Sequence, residues 1–209
     1  MPTPAAVPAL LPLSLLEAIR NLDTPVEDGL DELAEEIVVR RLGLSPTVAA
    51  QIQRYRTTAE RDGTVELDEV VSVLRLVGRR PDAPLVFADA GRRAARHAAR
   101  SRSRSARVVA RASPAGLARR VALRAAAKIA RRVFAGDLRA PAGGTEVRMR
   151  DPLSILALPD GAACAFYGAA YGELLRGLTA FEGAMLHEHC CSRGDDACVW
   201  RTVAAEVYE

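Results

Sequence analysis

Apolar residues recur at helical spacing through most of the first 135 positions and at strand spacing only after Gly143-Gly144. Ser14-Leu-Leu-Glu17 reads as a capping box, and the helix it opens runs to Leu22. A second helix is predicted over Asp28–Leu42, with Leu30, Leu33, Ile37 and Val38 on one face. Ser45-Pro46 places a cap before a proline at the first helical position, and that helix runs to Asp62-Gly63. Leu67–Val77 forms the next, ended by Gly78, and Pro81 and Pro84 open another from Leu85 to about Arg100. Ser101–Ser105 is a short low-complexity stretch, a loop or a frayed continuation. Ser113-Pro114 starts a helix that reaches Phe134 and closes at Gly136.

Beyond residue 144 the period changes. Thr145, Val147 and Met149 alternate with Glu146, Arg148 and Arg150, as in a strand with one buried face. Ser154–Leu158 reads as a second strand after the Asp151-Pro152 turn. Ala163–Leu178 is a helix with Phe166, Tyr167, Ala170, Leu174 and Leu178 inward, and Gly168 and Gly172 allow another element to come close. Gly183–Cys191 and Cys198–Val203 form a closing hairpin. The fold class is α+β, N-terminal helices followed by a helix-flanked antiparallel sheet. Residues 1–10 are expected to be a disordered tail, 11–83 an N-terminal helical region and 84–205 a second domain.

At 209 residues and 49% hydrophobic content the chain can bury a substantial core, although aromatics make up only 4%. It contains no run of eighteen apolar residues, so no membrane span is expected. The apolar start lacks a basic flank, which argues against a signal peptide, and the expected location is cytoplasmic. Charge is segregated: residues 1–78 carry net −6, residues 79–139 net +14 and residues 140–209 net −5. Such a basic segment either pairs with the acidic helices or meets an anionic ligand. It lacks interleaved aromatics and a reader motif, so nucleic acid is not the expected partner.

Four cysteines are too few for a disulfide scaffold. Cys164, His187, Cys190 and Cys198 instead follow Cys-x22-His-x2-Cys-x3-Gly-x3-Cys, with Gly194 at the turn. Three thiolates and an imidazole supply a closed tetrahedral set, which points to structural zinc with no open position for catalysis. Plain alternation along the strand puts Glu188 on the face of Cys190, and His187 and His189 on the other. A bulge is therefore required for His187 to converge with Cys190, and Glu188 and His189 remain alternative fourth ligands. Cys191 is read as a bystander, and His97 as a surface histidine.

Residues 84–203 resemble the 4-vinyl reductase, or hydrocarbon-binding, domain, which is related in fold to a subunit of vesicle-tethering complexes. The resemblance rests on Ala88-Asp-Ala-Gly91-Arg-Arg-Ala-Ala95, the strand-turn-strand Arg148–Leu158, Cys164-Ala-Phe-Tyr-Gly168-x3-Gly172, and Cys190-x3-Gly194-Asp195-x2-Cys198-x-Trp200. Zinc-containing members that sense phenols carry Cys, then Glu-x-x-Cys, then Cys; here His187 stands at the glutamate position. The His and Trp that hold phenol in those sensors have no counterpart at matching distances, so a phenol pocket is not implied. The resemblance implies a homodimeric carrier or sensor for a hydrophobic or aromatic ligand, including a tetrapyrrole of bacteriochlorophyll biosynthesis, whose propionates the arginines over 92–132 would meet. A vinyl reductase working with an external electron donor is the enzymatic alternative, and a protein-interaction module the second. No dinucleotide fingerprint, phosphate loop or Ser/His/Asp arrangement accompanies them.

Overall fold

The computed structural model describes residues 6–24, 45–102, 115–141 and 144–204. The helix expected over Asp28–Leu42 and the Ser113-Pro114 cap lie outside the described residues, as do residues 1–5.

Residues 6–10, expected within a disordered tail, are built into the fold. Ala6–Pro8 (β1) pairs antiparallel with Thr64–Glu66 (β2), and the Ala9 amide donates to the Gly63 carbonyl at 3.1 Å. Helix α1 then runs from Leu10 to Asp23. Ser14 is not its cap: the hydroxyl lies inside the helix and donates to the Leu10 carbonyl at 2.8 Å. Burial of Leu10, Leu11 and Leu13 draws the start of the helix upstream, and Pro12 is tolerated because it stands in the first turn.

Helix α2 (Pro46–Glu60) starts as its sequence predicts, with the Ser45 hydroxyl accepting from the Val48 amide at 3.3 Å. Helix α3 (Leu67–Gly78) buries Val70, Val71, Leu74 and Val77 on one face. Between α3 and α4 (Ala83–Arg102), Arg80 binds both Asp23 oxygens at 2.7 and 3.1 Å and reaches Asp82 at 2.8 Å, fastening the end of α1 to this corner. These partners raise the Arg80 pKa, led by the Asp82 hydrogen bond, and the Arg80 guanidinium in turn holds the Asp82 carboxyl below its ordinary value.

Helix α5 (Ala115–Phe134) ends with Ala135 in the left-handed region at φ 54°, and the Gly136 amide donates back to the Ala130 carbonyl at 3.0 Å. The chain continues through β3 (Asp137–Arg139) and β4 (Glu146–Met149). Leu153–Ala157 is a short helix, α6, where a strand was expected. A five-residue segment is too short to carry a distinguishing period, and the amides of Ile155 and Leu156 bond to the Pro152 carbonyl instead of to a neighbouring strand. Helix α7 (Cys164–Thr179) precedes β5 (Gly183–His189) and β6 (Cys198–Ala204).

The four C-terminal strands form an antiparallel sheet in the order β3-β4-β6-β5, and the architecture is α+β. Helix α4 lies along α7 so closely that a Cβ on Gly91 would collide with the backbone carbonyl of Phe166. Helix α7 covers the inner face of the sheet, with Trp200 against Gly168. One buried cluster runs from Val7 to Trp200, through α1, α4, α7 and the sheet. No helix of the described residues is long and apolar enough to cross a membrane.

Candidate metal centre

Each member of the Cys/His set reaches the site for a local reason. Cys164 is the first residue of α7, so the positive end of the helix faces its sulfur. Its Sγ lies 3.2 Å from the hydroxyl of Ser154, a fully buried residue of α6. His187 stands opposite Trp200 in the β5–β6 ladder, while His189 stands opposite Val199. The register shift between them is a bulge at Glu188, as the alternation conflict requires, and it turns both His187 and Cys190 to the inner face.

Cys190 and Cys198 flank a tight turn. Gly194 takes φ 89°, and the Asp195 carboxylate accepts the Cys190 amide at 2.7 Å. Two further polar groups lie against sulfur: the Cys191 amide donates to Cys198 Sγ at 3.4 Å, and the Ser192 hydroxyl is within hydrogen-bond distance of Cys190 Sγ at 3.0 Å.

The ligand atoms of Cys164, His187, Cys190 and Cys198 all lie within 4.8 Å of one another, close enough to hold a metal ion. Cys190 Sγ is 4.0 Å from Cys164 Sγ and 3.8 Å from Cys198 Sγ. These separations far exceed a disulfide bond, and all four cysteines are free. Tetrahedral coordination with metal–sulfur bonds of about 2.3 Å sets sulfurs about 3.8 Å apart.

An independent sign comes from the imidazole. His187 Nε2 is buried with no hydrogen-bond partner among the described residues. Its ring is fixed by stacking on Trp200, with centroids 4.5 Å apart and planes 6° from parallel. A cation held among the three thiols would satisfy this orphaned, buried nitrogen.

The electrostatics agree. Burial and the nearby Arg193 charge lower the His187 pKa, which keeps the imidazole neutral at pH 7. Burial pushes the Cys164 thiol up to about 11 and raises Cys198 as well. Burial also acts to raise Cys190, but hydrogen bonds with Ser192, Cys198 and Cys164 together outweigh it and bring that thiol below its ordinary value. A cation at the centre would favour the thiolate form of all three.

The two alternative fourth ligands point elsewhere. Glu188 forms an ion pair with Arg201 at 3.1 Å, and the exposed His189 meets Asp195 at 3.3 Å. Cys191 is turned away, its thiol donating to the Arg150 carbonyl at 3.4 Å. His97 is half-buried and lines a polar groove with Asp62 and Arg132.

Beside the cluster lies a feature the sequence did not reveal, a pocket of about 490 Å³. Val7, Leu11, Phe134, Met149, Leu153 and Tyr167 contribute its apolar wall, with Arg131, Arg132, Arg150 and Asp151 among its charged lining. Cys191 also lines it, next in sequence to Cys190. Met149 is the cross-strand partner of Cys198, and Tyr167 stands one helical turn beyond Cys164. The wall is drawn from six separate segments, so no local motif marks it.

Fold and site together define an α+β protein with a buried Cys₃His cluster able to hold a metal ion. No protein-family model matches the chain, and no curated protein or solved structure matches it.

Proposed function

We propose that the protein is a non-catalytic carrier or sensor for a small hydrophobic molecule, and that a structural zinc ion holds one wall of its binding pocket in shape. The observation that carries this reading is the adjacency of the apolar pocket to the cluster: Cys191, Met149 and Tyr167 line the one and neighbour Cys190, Cys198 and Cys164 of the other. The pocket volume falls within the usual range for small-molecule sites, and its lining is mostly apolar. Zinc is the metal favoured by three thiolates and one imidazole. When bound, it would act as a cross-link joining α7, β5 and β6, with no position left for substrate.

At about 30 Å³ per water-sized atom, 490 Å³ accommodates roughly 16 non-hydrogen atoms. A tetrapyrrole of the kind the sequence resemblance suggests would enter by one edge only, whereas a single ring system or a medium-length chain would be enclosed. Native mass spectrometry of the protein isolated from its own host tests both parts. The expected result is one zinc per chain together with a co-purifying apolar compound. Metal-free protein that retains its fold, or protein that takes up no hydrophobic compound offered to it, would overturn the proposal.

A further inference from the structure

The rim of the same pocket carries an imbalance that an apolar ligand leaves unused. Three arginines, Arg131, Arg132 and Arg150, are among its lining residues against a single acidic residue, Asp151. Arg131 reaches Asp137 at 3.4 Å, but Asp137 already binds Arg139 at 2.7 Å, and Arg131 is 77% exposed. Among the described residues no carboxylate lies within ion-pair distance of Arg132 or Arg150. Helix polarity accounts for part of this, since Arg131 and Arg132 stand in the last turn of α5, where cations offset the negative helix end. It does not account for Arg150, which follows β4 and reaches the same pocket from the sheet.

We infer that the pocket takes an amphipathic carboxylate, with its apolar body against Phe134, Met149 and Tyr167 and its carboxylate among Arg131, Arg132 and Arg150. The inference rests on reading the pocket as a ligand site and adds the charge of the ligand to that reading. A guanidinium binds a carboxylate through paired N–H donors, a contact that a neutral head group of equal length cannot match. Cationic residues arriving from two separate elements, Arg131 and Arg132 from α5 and Arg150 from the end of β4, fix where the head must sit. The buried aromatic and thioether floor fixes the opposite end.

Decanoate and 1-decanol, titrated into the metal-loaded full chain by calorimetry at pH 7.5 and low salt, separate the two claims. The expected result is decanoate binding about tenfold more tightly than decanol, from one to two charge-assisted hydrogen bonds. That advantage shrinks as salt is raised. In the Arg132→Ala/Arg150→Ala double variant, decanoate weakens to the level of decanol while decanol is unchanged; both arginines are exposed, so the fold is kept. Equal affinities for the two compounds, or an advantage that survives the double variant, overturn the anionic head and leave the pocket as a neutral apolar site. Binding of neither compound overturns the head group and the pocket reading together.

Discussion

Around Trp200, three thiols and an imidazole converge within 4.8 Å on a short hairpin and the first residue of a helix. At the other end of the chain, α1 is held by a continuous apolar stripe, Leu11, Leu15, Ala18 and Ile19, and by the Arg80 fork on Asp23. The first arrangement concentrates its chemistry in four atoms, and a cation bound among them would offset burying their thiolates. The second spreads it over many modest contacts, each tolerant of change. Two neighbouring parts of one core should therefore fail in different ways.

Metal removal should give the largest effect. Chelation, or Cys190→Ser or Cys198→Ser, is expected to lower the unfolding free energy by about 4 kcal/mol, since metal affinity here is coupled to folding. Hydrogen exchange after chelation should accelerate first in β5 and β6, while α1 and α3 keep their protection. Simultaneous loss of protection in all four elements would erase the contrast. Loading is expected to fall on acidification, because protons compete for the same thiolates, the buried Cys164 with its pKa pushed up to about 11 among them.

Next in size is the Arg80 corner. Arg80→Ala leaves the nearly buried Asp23 carboxylate without its fork, at an expected cost of about 3 kcal/mol by chemical denaturation. Asp82 supplies the acid dependence of this corner. Its folded pKa lies below the unfolded value, so its contribution is complete above about pH 4 and is lost as pH falls through the folded value. The Arg80→Ala variant should show a shallower loss of stability in that range, read from midpoints at pH 6 and pH 3. Gly91→Ala probes the seam between the two regions. The added methyl meets the Phe166 carbonyl, and separating α4 from α7 should cost about 2 kcal/mol in the same measurement.

The same contrast governs what the sequence could reveal. Cys164, His187, Cys190 and Cys198 were legible because thiol and imidazole chemistry is rare and its spacing narrow. The bulge at Glu188 was legible because simple alternation could not bring His187 and Cys190 to one face. Helices α2, α3, α4 and α7 announced themselves by period and by Ser45, Gly78 and Pro84. The start of α1 did not, because local capping at Ser14 competes with burial of Leu10–Leu13, and burial prevails. Strands β1 and β3 are three residues each, too short for alternation to register, and β1 ends in Pro8. The pocket was invisible because its lining comes together only through tertiary contacts, with Val7 and Cys191 at opposite ends of the chain.

The smallest expected effect is also the sharpest test of how the cluster is drawn. Cys191 shares its neighbourhood with Cys190 and Cys198, yet its thiol points to the Arg150 carbonyl and its side chain is only half-buried. Serine keeps a donor of similar size at that position, so Cys191→Ser should change stability by less than about 0.5 kcal/mol and leave metal content at the native level. The backbone amide of residue 191, which donates to Cys198 Sγ, is retained by the substitution. A variant that loses metal as Cys190→Ser does would mean that the cation draws Cys191 inward and displaces a weaker ligand, and His187, bound through one imidazole nitrogen on the bulged strand, would be the one to leave. Elemental analysis of the two variants side by side, normalised to protein, decides between these outcomes.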